Sequence, residues 1–275
     1  MRIIQLSDLH VRANRAFAFN VADSAAALEK TVAHLAAMQP APDCVVISGD
    51  IAEHGEAGAY ELTAEILAGL AAPVYVLPGN HDSRENLLRI LGAYCPADPE
   101  AAPHICYAIP CGHVRLVIID SSRPDAHSGR LHAPVARWLE KTLAENGSTP
   151  ALVFAHHPPF LSGMGLMDEP YDRPEELARI LRGSPGARYC CGHLHRGLTT
   201  VWEGIPAVVC PPVVMHIELD LSPQGGDVFS LDAPGYLLHH VYDGRVNTHF
   251  CRVPGTFPHG GPYSFSNPPR PDAEA

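Results

Sequence analysis

The sequence has no apolar run approaching the ~18 residues of a membrane-spanning helix, which excludes the helical membrane-protein class. It also has no cluster of Lys or Arg: the two together number 19 against 30 Asp and Glu, for a formal net charge of −11. Proteins that wrap nucleic acid carry a basic face that displaces counterions from phosphates, so no stable nucleic-acid partner is expected. No CxxC pair occurs among the cysteines at 44, 95, 106, 111, 190, 191, 210 and 251. Several lie in strand-like apolar runs, Cys44, Cys190 and Cys210 among them, and most read as small buried hydrophobes. No internal repeat or low-complexity block stands out. The N-terminus runs straight into the strand-like residues 2–6, without the charged and apolar regions of a signal peptide, so a cytoplasmic location is expected. The sequence leaves a Cys95–Cys106 bridge open, but that compartment disfavours it.

What is present is a core and an excess of imidazole. At 275 residues, 46% of them hydrophobic and with mean hydropathy near zero, the chain suits one large or two modest soluble domains. It carries 17 His, nearly as many as the 19 Lys and Arg combined. Imidazole is the commonest metal ligand and the side chain that titrates near neutrality, so the excess points to a metal provided the positions cluster.

Hydrophobic periodicity alternates strand-like and helix-like stretches. Residues 3–6, 44–47 and 74–78 read as short buried strands. Residues 23–38 read as a helix with Leu28, Val32 and Leu35 on one face, Asp23 or Ser24 as cap and Pro40 as terminator. A second helix carries Leu62, Ile66 and Leu70, and a third spans about 84–91. Strands at 105–109 and 114–119 flank Cys111-Gly112. A helix over 134–145 presents Val135, Trp138, Leu139 and Leu143, followed by a strand at 151–154, a helix from Pro174 to about Arg182 and a strand at 188–191. The remainder reads as strands at 198–202, 207–210 and 216–221, and a hairpin around Asp243-Gly244. From Pro254 the chain is rich in Pro and Gly and reads as a wandering or disordered tail. The expected division is a domain at 1–253 and a tail at 254–275.

The chemistry lies where the strands stop. Five of them end in Asp8-Leu9-His10, Gly49-Asp50, Gly79-Asn80-His81-Asp82, Ala155-His156-His157-Pro158-Pro159 and Gly192-His193-Leu194-His195. Strand ends with short polar loops are where open α/β sheets place their ligands. Each ending alone reads equally well as a turn, a helix cap or a rigid loop. All of them together, at the ends of strands in one α/β alternation, are hard to explain as turns. Within Asp8-x-His10 and His193-x-His195, alternate residues of an extended backbone emerge on the same side, so each pair is expected to converge.

This ordered series, with Ile119-Asp120-Ser121-Ser122 and the His-His-Pro-Pro block, resembles the calcineurin-like metallophosphoesterases. Within them it is most similar to the bacterial branch of class III cyclic-nucleotide phosphodiesterases and glycerophosphodiesterases. The resemblance spans roughly residues 1–215. It implies a four-layer α/β/β/α sandwich with a binuclear metal site at the strand ends. Asp8, His10 and His195 would hold one ion, Asn80, His156 and His193 the other, and Asp50 would bridge them with its two oxygens. The mixed N/O donor set suits Fe, Mn, Zn or Co better than Mg or Ca, so two divalent transition-metal ions are the expected cofactors.

The resemblance further implies hydrolysis of a small phosphodiester, either a 3′,5′-cyclic nucleotide or a glycerophosphodiester, by metal-bound hydroxide. Asp50, Asn80 and His81 would be the catalytic residues, with His81 binding phosphate or protonating the leaving alkoxide. His216, after the Cys210-Pro211-Pro212 turn, is a second candidate for touching substrate. Asp82 and His157 are expected to hold ligand orientation, and His104, His113 and His239 to be surface or structural. Residues 160–173 and 221–235 are least like a family core. With Gly163, Met164, Gly165 and Met167, the first suggests a mobile apolar loop; the two stretches would shape the pocket or a dimer contact. A homodimer or higher homo-oligomer is implied by the branch alone. The alternatives are a broad-specificity phosphomonoesterase using the same ligands, and a non-catalytic scaffold of this fold, which should have lost ligands that are all present here.

Overall fold

The computed structural model describes residues 1–124 and 126–270. The first half of the chain runs β1 (Arg2–Leu6), α1 (Ser24–Ala37), β2 (Cys44–Ser48), α2 (Ala57–Leu67), β3 (Val74–Leu77), α3 (Arg84–Leu91), β4 (Tyr107–Cys111) and β5 (Val114–Ile118). It continues through α4 (Ala133–Glu145), β6 (Ala151–Phe154), α5 (Pro174–Arg182), β7 (Arg188–Cys191), β8 (Leu198–Trp202) and β9 (Ile205–Val209). The strands β10 (His216–Ile217), β11 (Val228–Leu231), β12 (Gly235–Tyr242), β13 (Arg245–Arg252) and β14 (Gly260–Ser264) complete it.

Local chemistry sets most of these limits. The Asp23 carboxylate accepts the Ala26 N–H at 3.0 Å and caps α1, and Pro134 and Pro174 sit in first turns, where a missing N–H costs nothing. The buried stripe of α2 is Ala59, Tyr60, Thr63, Ile66 and Leu67. The Leu62/Leu70 face expected for it is only half-buried, and Leu70 lies beyond the helix. Tyr60 turns inward because its hydroxyl has a half-buried partner, Asp82, at 2.9 Å.

Two sheets form the body. In the first, ordered β13-β12-β1-β2-β3, the strands β1, β2 and β3 are parallel and β12 pairs antiparallel with β1. In the second, ordered β4-β5-β6-β7-β9-β8, the central strands are parallel and β4 and β8 are antiparallel edges. The near-continuous burial of β1, β2, β6 and β7 is that of strands covered on both faces. Gln5 joins the sheets: its Nε2 donates to Ser48 Oγ on β2 at 2.9 Å and to the Cys191 carbonyl on β7 at 3.0 Å. Its Oε1 lies 3.1 Å from His239 Nε2 on β12, whose fully buried ring packs edge-on against Phe154 of β6. With α2 packed against both α1 and α3, and α4 packed on α5, the layers are α/β/β/α, as the resemblance implied.

A small third sheet, β10-β11-β14, corrects two expectations. Residues 216–221 form a strand only at His216–Ile217. The stretch from Pro254 does not simply wander: β14 pairs antiparallel with β11, matching Val228 to Ser264 and Phe229 to Tyr263. Gly-Gly-Pro-Tyr-Ser has little intrinsic strand preference; the pairing holds it. Residues 271–275 of the expected tail lie outside the described residues. All the thiols are free, Cys95 and Cys106 included, and only Cys251 is not buried. No described helix is long and apolar enough to cross a membrane.

Candidate metal centre

The loops leaving β1, β2, β3, β6 and β7 meet at one end of the sandwich, and they do so through unusual backbone. Asp8 (φ 56°), His10 (46°), Asp50 (50°), His193 (71°) and His195 (47°) all occupy the left-handed region. Such conformations cost on the order of 1–3 kcal/mol each and persist only where the surroundings over-determine them. Here the Leu9 and His10 N–H groups both donate to the Asp50 carbonyl, at 2.9 and 3.0 Å, and Asp8 N–H donates to Gly49 at 3.1 Å. The extended backbone expected within Asp8-x-His10 and His193-x-His195 is therefore absent. The paired side chains converge because left-handed turns aim them, not because alternate strand residues share a face.

Two donor groups result. His10 Nε2 and His195 Nε2 are 3.0 Å apart, with Asp8 Oδ1 3.7 Å from the latter. Asn80 Oδ1 lies 3.1 Å from His156 Nε2 and 3.0 Å from His193 Nδ1. Asp50 Oδ2 lies between the groups, 3.2 Å from His156 Nε2 and 3.7 Å from His10 Nε2. Asp50 Oδ1 is taken by the His81 N–H at 2.9 Å. A single carboxylate oxygen thus faces both groups, where the sequence reading gave one oxygen to each.

Partners behind the rings decide which nitrogen points inward. His10 Nδ1 lies 2.7 Å from Glu53 Oε2, His156 Nδ1 donates to the Ser48 carbonyl at 2.8 Å, and His195 Nδ1 to the Met215 carbonyl at 2.8 Å. Nε2 of each is left toward the centre. Burial drags the His10 pKa down, but the Glu53 charge and hydrogen bond outweigh it and raise it to about 9. His156 is likewise raised to about 9, burial being overcome by Asp50. Burial would push Asp50 up, yet His156, His81 and His10 hold it well below the usual carboxylate range. Burial, reinforced by His156, pushes the His193 pKa well below the usual imidazole value, and burial also lowers that of His195.

These residues fit a pair of metal ions. His10 Nε2 and His195 Nε2 face each other at 3.0 Å, close enough for both to reach one cation at ordinary metal–nitrogen distances once His10 has lost its proton. Asp8 Oδ2 is fully buried with no hydrogen-bond partner, a position that is costly unless a cation faces it. Buried donor triads recur here as Asp8/His10/His195 and Asp8/Asp50/His156. Carboxylate, amide and imidazole donors together suit borderline transition metals.

The surrounding residues divide by what they touch. Asp82 accepts the N–H groups of Ile51, Ala52 and Gly79 at 3.1, 3.0 and 2.9 Å, so it fixes the backbone just after Asp50 and just before Asn80. His157 Nδ1 meets Ser121 Oγ at 2.8 Å. Asp120 makes a two-pronged pair with Arg84, at 2.5 and 3.0 Å, which fastens the start of α3 to the end of β5. Gly49 and Gly79 are spacing residues. A Cβ would fall 2.4 Å from His156 Nδ1 at Gly49 and 2.1 Å from Asp50 Oδ1 at Gly79.

Above the donors lies a cleft of about 440 Å³, into which His81 projects with Asn80, His127, Leu166, Met167, Glu169, Asp227, Phe19 and Phe265 around it. No Lys or Arg lines it among the described residues. His81 Nδ1 donates to the Glu53 carbonyl at 2.9 Å, leaving Nε2 free. His216 is not brought to the cleft. What its segment supplies to the centre is the Met215 carbonyl, and burial of the His216 ring lowers its pKa to about 4. Sequence reasoning also missed Glu53, although an acid directly after the buried run Ile51-Ala52 was a signal, and it missed Phe19 and Phe265, for which no local signal exists. Residues 160–173 and 221–235 do contribute cleft wall, through Leu166, Met167, Glu169, Gly226 and Asp227.

Residues 1–197 match the family described as calcineurin-like phosphoesterase. The chain is 32% identical over 270 residues to an Arcobacter nitrofigilis protein named as a probable glycerophosphodiester phosphodiesterase, GpdQ, covering 97% of both chains. It is 30% identical over 256 residues to the 3′,5′-cyclic adenosine monophosphate phosphodiesterase CpdA of Pseudomonas aeruginosa, covering 91% of this chain and 89% of that one. Among solved structures, a dimetal phosphatase from Danio rerio superposes with a TM-score of 0.65 at 16% identity, over 92% of this chain and 99% of the other. That likeness is one of fold.

Proposed function

The chain belongs to the calcineurin-like phosphoesterase family, and from that premise we propose that it is a binuclear-metal phosphodiesterase acting on small diesters, cyclic nucleotides or glycerophosphodiesters. The observation that carries this is Asp50 Oδ2, set between two complete groups of donors. Asp8, His10 and His195 would hold one ion, and Asn80, His156 and His193 the other. Divalent ions there, when bound, supply the charge that draws in a phosphodiester anion and the Lewis acidity that makes water a nucleophile near neutral pH.

The chain's own residues do the rest. His81 has Nδ1 tied to the Glu53 carbonyl and its N–H tied to Asp50, so its ring is held with Nε2 toward the cleft. As an imidazolium it donates to a phosphate oxygen and can pass that proton to the departing alkoxide. Glu53 holds His10, and Asp82 holds the two loops that carry Asp50 and Asn80. A phosphomonoester carries more negative charge than a diester, and a cleft without Lys or Arg but with Glu169 and Asp227 suits the diester better.

The test is metal content per chain, followed by turnover on the same metal-loaded sample. Two transition-metal ions, with bis-p-nitrophenyl phosphate cleaved faster than the p-nitrophenyl monoester, is the expected result. A faster monoester would make it a phosphomonoesterase. Turnover of cyclic AMP against glycerophosphoethanolamine then chooses between the diester classes.

A further inference from the structure

The C-terminal segment reaches back into the cleft, and it is anchored there. Ser264 Oγ donates to Asp227 Oδ2 at 2.6 Å, Ser266 N–H to Asp227 Oδ1 at 2.9 Å, and Phe265 N–H to the Asp227 carbonyl at 2.8 Å. Together with the pairing of β14 on β11, these bonds fix the backbone on both sides of Phe265. Its ring lies over Phe229 at 4.5 Å, meets Phe19 edge-on at 5.1 Å and stands 5.8 Å from the His195 ring. Phe265 is only half-buried, and it lines the same cleft as the metal-ligand candidates. Packing on one side thus pre-orients an aromatic surface whose remainder is open to whatever occupies the cleft, at little further entropic cost.

We propose that Phe265 is a specificity-determining residue, forming the wall against which an uncharged, flat or apolar substituent of the phosphodiester packs. The proposal rests on the phosphodiesterase reading above and adds the chemical class of the substituent. Leu166 and Met167 add apolar surface to the same cleft, and Glu169 and Asp227 are its acids apart from Asp50 at the metal positions. Away from the metal positions and His81, a substituent bearing its own negative charge would meet Glu169 and Asp227 and no Lys or Arg among the described residues. A ring or an alkyl group gains dispersion and area burial on Phe265.

Two substrates that share one leaving group separate this contact from the chemistry. Bis-p-nitrophenyl phosphate keeps a second ring on the phosphorus where methyl p-nitrophenyl phosphate has a methyl, and both release nitrophenolate. In metal-loaded Phe265→Ala protein, kcat/KM for the first should fall about tenfold, through KM, while that for the second changes less than about twofold and metal content is unchanged. Phe265→Tyr should restore the preference, and Phe265→Leu, which keeps bulk without a ring, should restore only part of it. An equal fall on both substrates, or a normal preference in Phe265→Ala, overturns the proposal. If the wild type binds bis-p-nitrophenyl phosphate in calorimetry but cleaves neither diester, the phosphodiesterase reading fails. Phe265 is then judged by whether Phe265→Ala weakens that binding. A wild type that neither binds nor cleaves overturns both.

Discussion

Asp50 and His81 are joined by a single hydrogen bond that divides the labour of the Asp50 carboxylate. The His81 N–H occupies Oδ1 at 2.9 Å, so only Oδ2 is left for the two donor groups. The bond locks the rotation of the carboxylate and ties the loop after β2 to the loop after β3, where the next donor, Asn80, is carried.

Asp50→Ala should lower occupancy at both metal positions together. Losing a group that only orients a metal ligand already costs 10–100-fold in affinity or activity, so losing the shared oxygen should cost at least about 100-fold in diester turnover. Metal analysis after desalting, with turnover on the same sample, checks this. Retention of two ions with normal turnover would remove Asp50 from the bridging role.

Glu53→Gln should weaken one metal position and spare the other. Glu53 is buried and its Oε2 lies 2.7 Å from His10 Nδ1, whereas it makes no hydrogen bond to His156 or His193. The expected loss is roughly 10–100-fold in affinity for the ion held by His10, read by chelator competition with Zn or Mn. A uniform loss at both positions would mean that Glu53 acts through the fold rather than through His10.

His81→Ala should keep both ions and lose rate, by roughly 10²–10⁴-fold if its imidazole moves a proton. The ring contributes no atom to either donor group, and its Nδ1 is already bound to the Glu53 carbonyl. Loss of an ion in this variant would make His81 a ligand.

Much of this was legible in the sequence, and the parts that were not have a common physical cause. The limits of α3, β6, α5 and β7 could be read from local pattern, since caps, prolines and buried apolar runs act within a few residues. The donors Asp8, His10, Asp50, Asn80, His156, His193 and His195 do converge. The left-handed turns that aim them are enforced by hydrogen bonds between distant loops, which no local pattern reveals. His216 drew attention by residue type, yet its segment gives the centre a carbonyl. Phe265 lay in a stretch whose composition argued for disorder; the partner that orders it, Asp227, is 38 residues away in the chain.

Metal uptake should strengthen as pH rises. In the metal-free protein His10 and His156 keep their protons to about pH 9 instead of 6.5. A raised native pKa means that the folded state holds these protons more tightly than the unfolded chain. That stabilisation is complete below about pH 6.5 and is lost as pH rises through about 9. Ligands must be deprotonated to bind, so metal affinity gains over the same window. Scanning calorimetry should show the rise in Tm on adding Mn or Zn growing between pH 6.5 and 9. A metal-induced rise that is flat across that window would show that these rings hold no competing protons.

Gly79→Ala should damage the centre without touching a donor. The added Cβ would fall 2.1 Å from Asp50 Oδ1 and 2.5 Å from Asp50 N. Backbone strain is not the cause, since Gly79 is not among the glycines with positive φ; the space itself is taken. The Asp50 carboxylate cannot yield by rotating without breaking its bond from His81, so the loops after β2 and β3 must part. Overpacking of this kind costs about 1–3 kcal/mol, or a fall in Tm of several degrees for a chain of this size. Because the loops that part carry Asp50 and Asn80, metal affinity should fall with Tm. A variant that loses Tm yet binds both ions normally would show that the two loops can separate without moving Asp50 Oδ2, and that the Asp50–His81 bond is not what holds the centre together.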